Sequence, residues 1–152
     1  MRKRQRGFSL IELLIVVAII LIIVAMAVPN LMRTRMTANE ASAVSSLRTL
    51  NSALVLYNTS YGVYPAQLNY LQPPNSGNPT STAADLIDQV LATGNKAGYS
   101  FNYTQGAGGG AYFLIARPLE DNRTGLRHFY TDQSGVTRAN VGVDANISST
   151  PL

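Results

Sequence analysis

The chain has 152 residues, room for one domain, and no cysteine, which excludes both a disulfide and a thiolate metal site. Its net charge of +4 is concentrated at one end: of twelve Lys and Arg, four (Arg2, Lys3, Arg4 and Arg6) precede the first apolar stretch, leaving eight against eight Asp and Glu. The basic balance therefore describes the N-terminus, and no specific nucleic-acid partner is evident.

The first predicted element is apolar. From residue 13 to residue 32 there is no charge, a length that crosses a bilayer core as a helix. A basic cluster abutting such a segment marks the cytoplasmic side and places the remainder across the membrane. A secretory signal peptide has a shorter apolar stretch and a small-residue cleavage site, whereas this one ends in Val28-Pro29-Asn30. A plain single-pass anchor fits better, except for Glu12. A carboxylate within hydrocarbon costs about 3 kcal/mol or more and needs a partner.

The string Arg6-Gly7-Phe8-Ser9-Leu10-Ile11-Glu12-Leu13 closely resembles the prepilin cleavage and methylation motif of type IV pilins and pseudopilins. That pattern is a short basic leader, Gly, an aromatic residue, and Glu at the fifth position after the cut. The resemblance implies cleavage between Gly7 and Phe8 by a prepilin peptidase, followed by N-methylation of Phe8. It also implies polymerisation with other copies through the N-terminal helix, with an inner-membrane assembly platform and a secretin as further partners. The physics agrees with the motif. Cleavage leaves an ammonium on Phe8, and Glu12 of a neighbouring copy can pair with it, so two costly intramembrane charges offset each other. Glycine suits the scissile position because a protease can approach its backbone closely. Pro29, near the end of the apolar run, removes a helical hydrogen bond and is read as a helix kink.

Further along, Ala43, Leu47, Leu50, Leu54, Tyr57 and Tyr61 recur at spacings of three and four, one face of a helix. Ser45, Ser46, Arg48, Thr49, Asn51 and Ser52 fall between them as a polar face. One helix from about residue 8 to residue 60 is expected, burying its stripe on the C-terminal half rather than in a coiled coil. Tyr61-Gly62-Val63-Tyr64-Pro65 ends it, with Gly62 as the left-handed cap. This junction also resembles the Gly-x-Tyr-Pro step of many pilins and pseudopilins.

Residues 62–98 form a connecting region. Within it a short helix is expected over 83–92, capped by Thr82 or Ser81, with Leu86, Ile87, Val90 and Leu91 inward and Gly94 as its stop. Strands are predicted at 99–104, 111–116, 128–131 and 136–138. A Gly-rich, flexible hairpin links the first two, and Asp132-Gln133-Ser134-Gly135 turns between the last two. The expected fold is α+β: a long N-terminal helix on a small antiparallel sheet of three or four strands. Its divisions are a leader (1–7), an apolar assembly half-helix (8–32) and a globular head (33–152). The head comprises an amphipathic half-helix (33–61), the connection (62–98) and the sheet with its tail (99–152).

Other signals carry less. The Gly106–Gly110 run lacks the Lys-Ser/Thr of a phosphate loop. His128 has no catalytic partner at a meaningful spacing. Asp132-Gln133-Ser134-Gly135 faintly resembles a calcium loop, but its ligand count is poor, so no metal and no cofactor is expected. No catalytic constellation is present, and the chain is not expected to be an enzyme. Residues 9–56 contain no aromatic side chain, so an electron-conducting stem is not expected. Two functions remain open: a type IV pilus subunit serving adhesion, motility or DNA uptake, and a type II secretion pseudopilin. Both begin as inner-membrane precursors. The first ends in an extracellular pilus, the second in a periplasmic filament.

Overall fold

Helix α1, Leu10–Tyr61, runs for 52 residues in the computed structural model, which describes residues 8–152. The leader and Gly7 lie outside the described residues. Two compact units divide the chain, one ending at Thr34 and the other spanning Arg35–Leu152, and α1 belongs to both. The helix continues through Pro29, which has no N–H to offer the carbonyl of Ala25. It ends where Gly62 adopts a φ of +77° and donates its N–H to Asn58 O at 2.8 Å, a left-handed cap.

Within the second unit the predicted stripe is buried. Ala43, Leu47, Leu50 and Leu54 have no solvent exposure, and Tyr57 has almost none. Each fully buried leucine contributes about 1.5–3 kcal/mol relative to an exposed one. Tyr61, expected on the same stripe, is exposed. Ser46 and Asn51, assigned above to the polar face, are buried. On the exposed side, Thr49, Ser52, Thr59 and Ser60 donate their hydroxyls to carbonyls four residues back, as Thr34 does to Asn30.

The sheet has six antiparallel strands in sequence order, more than the three or four expected. They are β1 Asn95–Lys96, β2 Tyr99–Gln105, β3 Tyr112–Pro118, β4 Arg127–Asp132, β5 Arg138–Val141 and β6 Thr150–Pro151. β1 and β6 have two residues each, too few for alternation to reveal them. β5 starts where the expected last strand ended, because the turn after β4 takes in residues 133–137. In the three central strands, alternate residues meet the helix stripe in one core: Tyr99 and Phe101, then Tyr112, Leu114 and Ala116, then Phe129.

The helix expected over 83–92 is only α2, Gln89–Ala92, and its cap is Asp88, which accepts from Leu91 N at 2.8 Å. The preceding residues are taken by a tertiary contact. Leu68–Leu71 forms a 3-10 turn, and Ala84, Asp85, Leu86 and Ile87 donate to carbonyls of Tyr70, Gln72 and Leu71. Those bonds satisfy the backbone without helix, and Asp85 takes a φ of +54° to make them. Ile87 and Leu91 point inward, Leu86 packs partly against the core, and Val90 is exposed. Gly94 does stop the segment, at a φ of +80°.

The Gly-rich hairpin is pinned rather than free. Gly109 O accepts from Tyr64 N at 2.9 Å, Tyr103 Oη donates to Pro65 O at 2.7 Å, and Gln105 Nε2 donates to Tyr64 O at 2.5 Å. At Gly109 a Cβ would press on Val63 Cβ at 3.2 Å, so the absent side chain lets hairpin and helix junction meet.

Candidate functional site

The N-terminal segment holds most of the residues singled out from sequence. Every described residue up to Arg35 is exposed, with Phe8 at 80%. By length and composition this part of α1 suffices to cross a membrane. Its first turn has a specific geometry. Ser9 precedes the helix, and Leu13 N donates to Ser9 O at 3.3 Å. Glu12 folds back so that its Oε2 accepts from Ser9 N at 2.9 Å. This is the carboxylate half of a capping box, Ser-x-x-Glu, with an acidic group at the positive end of the helix.

From sequence, the expected partner of Glu12 is the Phe8 ammonium of a neighbouring copy. The structure gives it one local donor, which orients the group and offsets part of its desolvation. The bond does not neutralise the charge, so a cation remains its natural complement. Phe8 and Glu12 lie four positions apart at the start of the described residues, with Phe8 just outside the helix. Pro29 is remote from both, about 25 Å along the axis from Glu12. Beside it a shallow groove is lined by Met26, Pro29, Asn30 and Arg33.

In the second unit, three polar clusters have no counterpart in the sequence reading. Glu40 is buried on α1. Its Oε1 accepts from the N–H groups of Leu126 and Arg127 at 2.8 and 3.2 Å, and its Oε2 from Arg127 Nε at 2.7 Å. Burial pushes its pKa up, but these donors outweigh that and hold the carboxyl below its ordinary range. Asn51 bridges the core: its Nδ2 donates to Thr131 Oγ1 at 2.9 Å and its Oδ1 accepts from Tyr112 Oη at 2.9 Å.

The third cluster centres on His128. Its Nδ1 lies 3.1 Å from Asp144 Oδ1 and its Nε2 lies 3.2 Å from Asp121 Oδ1. Arg117 clamps Asp144 from the other side with bonds of 2.7 and 2.6 Å. His128 thus ties the segment after β5 and the loop after β3 to the sheet. A burial-prone His, Asn or Glu between apolar neighbours is a weak local signal, because each partner lies far away in sequence.

At the suspected calcium turn, Asp132 Oδ1 accepts from both Ser134 N and Ser134 Oγ. Among the described residues no three His, Cys, Asp or Glu side chains group as metal ligands.

With this geometry in place, the likeness to other proteins is specific. Residues 2–28 match the prokaryotic N-terminal methylation motif. The type II secretion system core protein G of Escherichia coli K12 is 31% identical over 112 residues, covering 74% of this chain and 72% of that one. The core protein G of Dickeya chrysanthemi is 38% identical over 65 residues, 43% of this chain and 42% of its own. The type IV major pilin PilA of Myxococcus xanthus is 46% identical over 50 residues, 33% of this chain and 23% of its own. Of the two functions left open by the sequence, these relatives favour the secretion pseudopilin over the surface pilus. A methylation motif on an apolar helix, a helix-on-sheet fold, and likeness along most of both chains place this protein in the family of type II secretion core protein G, within the type IV pilins and pseudopilins.

Proposed function

We propose that this chain is a pseudopilin subunit of a type II secretion system. It begins as a single-pass inner-membrane precursor, is cut between Gly7 and Phe8, and is methylated on the Phe8 amine. It then polymerises through residues 8–32 into a periplasmic filament that moves other proteins outward. Prepilin peptidase, an inner-membrane platform, further subunits and a secretin are its partners.

The observation that carries this is the N-terminal half of α1. It is apolar and exposed along its described length, and Glu12 is the one charge between Leu10 and Met32. Such a surface needs lipid or other helices around it. In lipid the Glu12 charge is costly. Beside the Phe8 ammonium of another copy it is offset, which favours assembly in one register.

Two measurements test the proposal. N-terminal mass spectrometry of the mature chain is expected to find N-methylated Phe8, and an intact Met1 on assembled material overturns the processing step. Deleting the chain is expected to block export of folded periplasmic proteins. Normal export together with lost surface pili would favour the pilus function, which the match to the Myxococcus pilin also supports.

A further inference from the structure

Strands β2 to β5 share one end, and α1 holds it. Tyr99 pairs with Pro118 where β2 starts and β3 stops, and Arg127 pairs with Val141 where β4 starts and β5 stops. Asn39 Nδ2 donates to Thr124 O at 2.9 Å, and Glu40 accepts from Leu126 N and Arg127 N. The loop between β3 and β4 is also closed on itself. Thr124 Oγ1 donates to Glu120 O and accepts from Glu120 N, both at 3.1 Å, and Arg123 pairs with Glu120 at 2.6 Å. Its shape is set before any partner arrives.

This well-held end nevertheless shows apolar side chains to solvent. Leu119 and Leu126, on the loop, are 56% and 42% exposed, and Val141 and Val143 are 65% and 59% exposed. The two segments touch, since Gly142 N donates to Leu126 O at 3.1 Å. A single exposed leucine needs no account, whereas apolar side chains gathered on adjoining segments mark a contact surface. The opposite end of β2 and β3 presents Ala107, Gly108 and Gly110 to solvent instead. Residues 33–38 alone, about 10 Å of helix, separate Asn39 from the uncharged stretch that ends at Met32. Within them Arg35 is exposed and bonds no described residue.

We infer that Leu119, Leu126, Val141 and Val143 rest in the headgroup layer of the bilayer that holds the apolar stretch, with lipid phosphate as the counter-ion of Arg35. Two observations select lipid as the occupant. The surface follows closely on a segment long enough to span a bilayer, and the step between them carries a cation. Binding at a membrane interface grows with the apolar area buried and with attraction to anionic lipid. The loop is already fixed, so resting there costs little further ordering. The head of an unassembled precursor is thereby held on the membrane, and a subunit leaving the bilayer for a filament has to peel this end away. The inference goes beyond assembly itself and rests on the single-pass precursor proposed above.

The absence of cysteine lets one fluorescent label be placed at a time. The full chain carrying bimane on Leu126→Cys or Val141→Cys is reconstituted in vesicles of phosphatidylethanolamine and phosphatidylglycerol with headgroup-spin-labelled lipid. Quenching about threefold stronger than at Ala107→Cys is expected, and a label on Val17→Cys should be quenched by lipid spin-labelled deep in its acyl chain. Adding Leu119→Ser and Val143→Ser to the Leu126→Cys chain should lower its quenching about twofold, with the urea unfolding midpoint unchanged. Equal quenching at Leu126, Val141 and Ala107, or no effect of the two serines, overturns the inference, while a quenched Val17 leaves the membrane precursor standing. An unquenched Val17 overturns both. Shielding of Leu126→Cys from aqueous iodide that sets in only at high protein density makes a second copy the occupant and overturns the lipid contact.

Discussion

Glu40 and Arg127, 87 positions apart, meet with 2.7 Å between Oε2 and Nε, and the same carboxylate takes the N–H of Arg127 as well. One buried side chain thus fixes both the backbone and the side chain at the start of β4 against α1. Removing Glu40 leaves the N–H groups of Leu126 and Arg127 without their acceptor, and a buried unsatisfied polar group costs about 1–3 kcal/mol. Glu40→Ala is expected to lose stability on that scale, read by urea unfolding of the full chain in detergent. Arg127→Ala should cost less, because its side chain is partly exposed and the two backbone donors still hold Glu40.

Acid should loosen the second unit. In Asp144 the bond from Arg117 is the main cause of a lowered pKa, and burial opposes it. In Glu40 burial opposes the shift most strongly, yet the donors prevail and the net direction is also down. A carboxyl whose pKa is depressed by folding adds stability above its unfolded value, and that stability is lost as pH falls through the folded value. With unfolded values of 4.5 and 3.8, the loss should set in below about pH 4.5 and deepen through the lower folded values. Thermal unfolding between pH 7 and pH 3 checks this, and Glu40→Gln should flatten the dependence.

The Asn51 bridge should be worth more than either bond alone. Asn51→Ala strands the hydroxyls of Tyr112 and Thr131 in the core, and a buried unsatisfied polar group costs about 1–3 kcal/mol. Tyr112→Phe should cost less, because it leaves only the Asn51 Oδ1 without its donor. A double-mutant cycle on the two is expected to show coupling, whereas strict additivity would deny the bridge.

Gly125 has no room for a side chain. A Cβ there would collide with the Tyr99 hydroxyl and ring, and that hydroxyl is fixed by its 2.8 Å bond to Arg127 O. Gly125→Ala is expected to destabilise by about 1–3 kcal/mol through overpacking. Tyr99→Phe in the same chain should recover part of the loss, measured by the same unfolding curves.

Glu12→Ala should leave cleavage and membrane insertion intact while impairing assembly. It removes both the Ser9 cap and the complement of the Phe8 amine. Glu12→Gln keeps a cap acceptor without the charge, so it separates the two roles. Filaments of normal number and length from Glu12→Gln would deny the charge pairing.

Periodicity in the sequence reveals the long helix and its stripe because burial there follows a local rule of three and four. Alternation likewise reveals β2, an apolar run reveals β3, and the turn that follows it marks β4. What escapes is set by distant partners. Asn51 looks like a surface residue until Thr131 is folded against it, 80 positions away. Residues 84–87 look helical until Leu71 and its neighbours supply other acceptors. The cleavage motif is legible because a peptidase reads it as a linear string. The Ser9–Glu12 cap is local too, and the Ser-x-x-Glu spacing alone marks it.

The hydroxyls along the outer side of α1 carry one more implication. Thr49, Ser52, Thr59 and Ser60 already donate to the helix backbone. A neighbour that covers them strands no donor, and one that leaves needs no water to replace it. The hydroxyls are polar by composition but undemanding in contact, and the exposed Val55 and Leu56 among them leave apolar area as what this side of the helix has to gain from being covered.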